Sequence, residues 1–258
     1  NLGIFADQQI SMGMVRLAIL DTSAGANQPM ISECGNIILV YNGEIYNFRE
    51  LKNTLIEFGH VFKTTSDTEV VLKAYQQYGD SCLSFFNGMY SLAIYDKRMV
   101  HSSERLLLAR DPFGIKPLLY SIVAGKVVFG SELKALLKSG HVDKKIDPQA
   151  MRSLFNYGSV RQPQSLVQNV RMLLPGHKLI IEKGHGHPQI EKFATDFFSI
   201  DREISKMAYQ EQIEVTKAAL VNSVRSQLVS DVPLGAFLSG GIDSSLVTAI
   251  MTQIEGRD

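Results

Sequence analysis

The chain has 258 residues, 45% of them hydrophobic, and its 26 Lys and Arg balance 26 Asp and Glu. An even charge with no long basic run argues against nucleic acid or an anionic membrane as the main partner, since both are recognised through clustered positive charge. No apolar stretch is long enough to span a bilayer, no secretory pattern opens the chain, and two cysteines make no disulfide framework, so a cytoplasmic protein is expected.

There is room for one large or two medium domains. The chain opens at Asn1, directly before a strand-like run from Leu2 to Phe5, and stops at Asp258, one helix after a glycine loop. A piece of a longer protein, missing residues at both ends, is expected. Further strands are expected at Ile37 to Tyr41, Tyr90 to Tyr95, Leu106 to Ala109, Lys126 to Phe129 and Lys178 to Ile181, punctuated by turn residues. Helices interleave with them. Phe48, Leu51, Leu55 and Phe58 mark one helical face that stops at Gly59. Ser66-Asp67-Thr68-Glu69 reads as a capping box opening a helix through Val71, Leu72, Tyr75 and Tyr78 to Gly79. A third helix is expected from Ser131 to Leu137. This mixture predicts an α+β, layered first domain over residues 1–195. The pattern weakens around Thr195 to Ser205, where a linker is placed. A second domain then starts over 206–258 with an amphipathic helix through Ile213, Leu220, Val221, Val224 and Leu228, ended by Pro233. A buried strand from Leu234 to Leu238, a glycine loop and a helix from Leu246 to Ile254 would begin an α/β domain.

The loop itself, Leu238-Ser239-Gly240-Gly241-Ile242-Asp243-Ser244, has the chemistry of a phosphate cradle. Adjacent glycines let backbone amides approach phosphate oxygens, and a helix N-terminus adds a favourable dipole. Ser239 and Ser244 offer hydroxyl donors, and Asp243 is suited to a Mg²⁺ ion bridging the phosphates. The Gly-Lys-Ser/Thr ending of loops that transfer the terminal phosphate is missing. SGGIDSS resembles the signature of the N-type ATP pyrophosphatases, which cleave between the α- and β-phosphates. That resemblance implies ATP and Mg²⁺ as cofactors.

A second constellation lies upstream. Val15-Arg16-Leu17-Ala18-Ile19, Gln28-Pro29-Met30, Asn42-Gly43-Glu44-Ile45-Tyr46-Asn47, Ser66 to Glu69 and Arg110-Asp111-Pro112-Phe113-Gly114-Ile115-Lys116-Pro117 together resemble the class II glutamine amidotransferases. Met14 stands where that family usually carries His, and Ala18 where it carries Ser. The resemblance implies an N-terminal-nucleophile hydrolase fold, a four-layer αββα sandwich, followed here by the beginning of an α/β adenine-nucleotide hydrolase-like domain. Both motifs in this order resemble the glutamine-hydrolysing asparagine synthetase family, a class of carbon–nitrogen ligases. The substrates implied are glutamine and aspartate, with asparagine, AMP and pyrophosphate as products; an oligomer is left open.

The chemistry at each position has its own logic. Asn42, through its side-chain amide, and Gly43, through its backbone N–H, can both point at a developing oxyanion. Arg16 offers a planar fork to an α-carboxylate. Asp67, with Glu44 as a second contact, suits an α-ammonium. By resemblance these are glutamine-binding positions. Plainer readings stand beside them: a tight hairpin turn at Asn42-Gly43, a helix-stabilising Asp67, a solvated Arg16. Arg110 and Asp111 are expected to be structural, as an ion pair fixing a turn.

The family's nucleophile is a cysteine at the first position of the mature chain, whose own α-amine is the base. Cys34 and Cys82 are internal and are expected to be inert core thiols. The 258 residues alone are therefore expected to lack glutaminase activity. Either the nucleophile lies outside this sequence, or the amidase domain is a relic of the kind found in β-lactam synthetases. Two other readings are kept: a sibling amidotransferase aminating a cell-surface or lipid-linked sugar acid, and a non-catalytic protein using the first domain for binding or assembly. Gly184-His185-Gly186-His187-Pro188 has too few ligands for a metal and reads as a solvated hairpin tip.

Overall fold

The computed structural model describes residues 1–98, 103–184, 187–195 and 199–256. Its elements in chain order begin with β1 (Leu2–Ala6), β2 (Ser11–Val15), β3 (Met30–Ile31), β4 (Ile37–Ile45), α1 (Phe48–Glu57) and α2 (Asp67–Tyr78). There follow β5 (Gly88–Asp96), β6 (Arg105–Arg110), β7 (Leu119–Val123), β8 (Lys126–Gly130), α3 (Leu133–Lys138) and α4 (Pro148–Tyr157). The rest comprises β9 (Val170–Met172), β10 (His177–Glu182), β11 (Gln189–Lys192), α5 (Arg202–Lys206), α6 (Tyr209–Gln227) and α7 (Ile242–Glu255).

One antiparallel sheet runs β11-β10-β6-β5-β4-β3, a second runs β8-β7-β9, and β1 pairs with β2. Strand alternation sorts their side chains into layers. On β4, Ile37, Leu39 and Tyr41 pack with Val71, Leu72 and Tyr75 of α2 and Leu55 of α1. Ile38 and Val40 point the other way, into a core shared with Leu106 and Leu108 of β6 and Tyr120 of β7. On β7 the neighbouring Leu119 faces outward onto Leu136 of α3. Helices, large sheet, small sheet and helix thus stack as αββα. Each Leu or Ile buried between layers contributes roughly 1.5–3 kcal/mol.

Several expectations need correction. Ser66 caps α2 by accepting from Thr68 N–H, but the Glu69 carboxylate accepts from Lys63 N–H, Thr64 N–H and the Thr64 hydroxyl, not from Ser66. It thus braces the loop before the helix, and the box is half formed. Phe58 lies past the end of α1 and is exposed, against the edge of Tyr78. Helix α6 ends at Gln227, well before Pro233. Leu234 to Leu238 is not a strand, and Phe237 is fully exposed. A strand cannot satisfy its own N–H and C=O groups, and among the described residues none lies beside this one to pair with it. Cys82 is buried, as expected, but Cys34 is exposed in the turn between β3 and β4, where the Ser32 hydroxyl approaches its sulfur. Helix α4, capped by Asp147 and with Pro148 at its first position, was not foreseen. Of the expected tip at Gly184 to Pro188, His185 and Gly186 lie outside the described residues.

Candidate functional site

Where β3 stops, the edge of β4 is finished by side chains. Tyr41 N–H donates to Gln28 Oε1 at 2.6 Å and Tyr41 C=O accepts from Gln28 Nε2 at 2.9 Å. Two pairs further on, Ile45 N–H donates to Asp67 Oδ2 at 3.1 Å. Gly43 sits between them. Its partner on β5 is Tyr90, whose own N–H and C=O are taken by Asp111 on the other side. Backbone groups along a strand alternate sides, so Gly43 N–H faces the same free edge as Tyr41 and Ile45. It is the position on that edge left between two capped neighbours, and it lines a cavity of 560 Å³. The hairpin-turn reading of Asn42-Gly43 is thereby excluded, because both lie within β4. Glycine is required there for packing: a Cβ would collide with Met89 O and lie 2.6 Å from Tyr90 Cα.

On the face that carries Ile38 and Val40, the next two positions are Asn42 and Glu44. The apolar pattern turns polar where the space between the sheets opens into the cavity. Asn42 Nδ2 donates to Ser131 Oγ at 3.3 Å. Arg16, just beyond β2, lines the same cavity and is not a solvated strand residue. Its Nη2 donates to Leu20 O at 2.6 Å and Asp21 O at 2.7 Å, while Nη1 is buried without a hydrogen-bond partner. Asp67 opens α2 and is only 4% exposed; Tyr41 Oη donates to its Oδ2 at 2.8 Å. Arg16, Asn42, Gly43, Glu44 and Asp67 thus come together around one cavity.

Both carboxyls of the cavity are pushed towards their neutral forms. Burial pushes the Asp67 carboxyl up, against the Tyr41 hydroxyl and the Ile45 amide that favour its charged form. Glu44 is pushed up by burial and by the Asp67 carboxylate, with the Lys116 ammonium opposing. A buried guanidinium N–H without an acceptor and two carboxyls with raised affinity for protons form a dipolar cradle.

Residue choice alone missed three participants. Lys116 and Ser131 line the cavity, and Gln28 supplies the strand mimic. Gln28 and Lys116 lie inside motifs already singled out, whereas Ser131 carried no signal of its own. Arg110 and Asp111 are structural but do not pair with each other. Arg110 donates to Gly114 O, Lys116 O, Leu173 O and Gln162 Oε1. Asp111 accepts from the amides of Tyr90, Phe113, Ile115 and Lys116. Cys34 and Cys82 do not line the cavity, and burial drives the Cys82 thiol far up.

The glycine loop is a different kind of site. Gly241 caps α7, and Ser239 Oγ lies 2.9 Å from Ser244 Oγ. Gly240 has φ +80° with nothing within 4 Å of where a Cβ would stand. Leu238, Ser239, Gly240, Gly241 and Asp243 are exposed, and Ser244 is half-buried. An open left-handed glycine ahead of a 14-residue helix fits a phosphate cradle. Asp243 stands in the first turn of α7; among the described residues no group of three or more metal-ligating side chains occurs.

A family profile described as "Glutamine amidotransferase domain" matches residues 1–193, and one described as "Asparagine synthase" matches 216–257. The chain is 35% identical over 248 residues to asparagine synthetase [glutamine-hydrolyzing] 1 of Bacillus subtilis, covering 96% of this chain and 38% of that one. It is 36% identical over 278 residues to a putative asparagine synthetase [glutamine-hydrolyzing] 2 of Methanocaldococcus jannaschii, covering 96% and 49%. The chain therefore spans less than half the length of these relatives. A solved glutamine phosphoribosylpyrophosphate amidotransferase from B. subtilis superposes with TM-score 0.51 at 24% identity, covering 72% of this chain and 35% of that one, a likeness of fold. With three quarters of its length inside the first profile, the chain belongs to the glutamine amidotransferase domain family.

Proposed function

We propose that residues 1–195 form a glutamine-binding amidotransferase domain and that 206–258 begin an ATP-dependent synthetase domain. Glutamine occupies the 560 Å³ cavity, its α-carboxylate on Arg16 and its α-ammonium between Asp67 and Glu44. Its side-chain carbonyl meets Asn42 Nδ2 and Gly43 N–H. The observation that carries this reading is Gly43 N–H, directed to an open strand edge between two amides that are already capped. Such a donor, fixed by a strand before the reaction, is worth about 3 kcal/mol to an oxyanion. The attacking thiol is not Cys34 or Cys82. In this reading it is an N-terminal cysteine of the full-length protein, so the 258 residues bind glutamine without hydrolysing it.

For a protein of the relatives' full length, the reading is cytoplasmic asparagine synthesis from aspartate, with ammonia drawn from glutamine. ATP supplies the adenylyl group that activates the acceptor carboxylate, with pyrophosphate as leaving group. The Ser239 to Ser244 loop would hold the phosphates on backbone amides and hydroxyls. A single carboxylate, Asp243, suits Mg²⁺ only together with phosphate oxygens, the usual habit of that ion.

Calorimetric titration of this chain with L-glutamine tests the site. Saturable binding is expected, weakened at least about tenfold by Arg16→Ala, since a charge-assisted pair contributes roughly 1.5–3 kcal/mol. Absence of binding, or indifference to Arg16→Ala, would sink the reading. The synthetase reading requires the full-length protein to make asparagine and pyrophosphate from glutamine, aspartate and Mg-ATP.

A further inference from the structure

The turn from Ile19 to Asp21 joins the two charged ends of the cavity. Its carbonyls at Leu20 and Asp21 hold Arg16 Nη2. The Asp21 carboxylate accepts from Thr65 N–H at 2.8 Å and from the Thr65 hydroxyl, immediately before Ser66 and Asp67. Asp21 adopts φ +49°, a left-handed conformation unfavourable for a residue with a side chain, and is 9% exposed. Something must therefore hold this turn, and part of the answer comes from 210 residues away. Asp231 Oδ2 accepts from Asp21 N–H at 2.7 Å, and Asp231 N–H donates to Ile19 O at 3.1 Å.

We propose that Asp231 is a positioning residue for the glutamine clamp, fixing the Ile19 to Asp21 turn from the segment that leads into the glycine loop. The segment is seated independently. Val229 packs against the core cluster shared by α1, α2 and β4. Ser230 Oγ donates to Val232 O and accepts from Val232 N–H, which sets the bend on which Asp231 stands. Only residues 232–238 separate Asp231 from Ser239. A strap anchored on the amidotransferase core therefore carries the latch at one end and the glycine loop at the other. Linkage is reciprocal: whatever displaces the strap changes glutamine affinity, and bound glutamine holds the strap by the same factor.

The clamp role of Asp231 rests on the glutamine reading, and the test separates the two. Wild type, Asp231→Ala and Asp231→Asn of this chain are titrated with L-glutamine, and exchange of the Asp21 amide is followed by NMR. Asp231→Ala is expected to raise the dissociation constant about tenfold and to accelerate exchange at Asp21, because the amide loses its acceptor. Asp231→Asn keeps an oxygen acceptor and should stay within about twofold of wild type. A merely structural role would lower the unfolding midpoint of Asp231→Ala without this rescue pattern in affinity. If wild type binds no glutamine, the clamp reading fails, while Asp21 exchange still decides whether the latch exists. Equal affinity in wild type and Asp231→Ala, or equal loss in Ala and Asn, overturns the proposal. Should Asp231→Ala not fold, Asp231→Glu displaces the carboxylate by one methylene and must still weaken binding.

Discussion

Asp67 and Ser239 both stand at or just before the start of a helix, yet they are held in opposite ways. Asp67 is fixed by Tyr41 and Ile45, residues of β4, and is buried. Among the described residues, Ser239 hydrogen-bonds only within its own loop, with Ser244 and Gly241, and it is exposed. The cavity around Asp67 is therefore preorganised by long-range structure: a strand edge, a helix start and the Ile19 to Asp21 turn converge on it. The glycine loop is organised by local geometry alone. Charge placed in the first setting is desolvated and finely oriented; in the second it keeps its water.

The largest expected difference lies between two glycines. Gly43→Ala pushes a methyl into Met89 O and Tyr90 Cα, backbone atoms of a ladder that cannot yield. A loss of about 3 kcal/mol or more in urea unfolding is expected, the upper range for overpacking. Gly240→Ala meets open space, and its cost is the left-handed backbone alone, about 1–2 kcal/mol. If Gly240→Ala proved the more damaging, the contrast between the two regions would be wrong.

Next comes the charge on Asp67. Asp67→Asn keeps an oxygen for Tyr41 Oη and Ile45 N–H while removing the charge. Stability should change by less than about 1 kcal/mol, and L-glutamine affinity should fall at least about tenfold. Acid should mimic this in the wild type. Both Asp67 and Glu44 have raised pKa values, so the charge that draws an ammonium is complete above them. It is lost as pH falls, beginning above the ordinary carboxylate range of about 4. Protonating Asp67 relieves a desolvation cost and does not weaken the fold. Asp21 behaves oppositely. Hydrogen bonds led by the Ser23 hydroxyl hold it at about 2, below the ordinary 3.8, so its stabilisation is complete above 3.8 and lost only as pH falls through about 2. Glutamine titrations across pH 4 to 7 should thus lose binding while circular dichroism stays native. Simultaneous loss of both would contradict the assignment of charges.

Much of the first region could be read from residues because its signals are local. The apolar run of Ile37 to Tyr41, the cap at Ser66 and the stop at Gly79 each depend on near neighbours, and the structure keeps them. Asn42-Gly43 was legible as a candidate site, and the structure places it within β4 on a cavity wall. Which way an edge amide points depends on where β3 ends, and that is a tertiary fact. Ser131 and Gln28 escaped for the same reason: each acts on β4 from a distant segment. Leu234 to Leu238 misled in the reverse direction. An apolar run satisfies the local rule for a buried strand, but strand formation needs a partner that the run itself cannot supply.

The smallest effect is the sharpest check on the local character of the glycine loop. Ser239→Ala removes the contact with Ser244 Oγ and a 3.4 Å hydrogen bond from Gly241 N–H. Both hydrogen bonds are exposed and water can replace what is lost, so stability should move by less than about 0.5 kcal/mol. L-Glutamine affinity should be unchanged, because Val229 and Asp231 anchor the strap upstream of Ser239 and do not depend on that hydroxyl. Differential scanning calorimetry and the same glutamine titration decide the matter. A marked drop in either would mean that Ser239 is tied into the fold beyond its own loop, and that the two regions differ less than their hydrogen bonds imply.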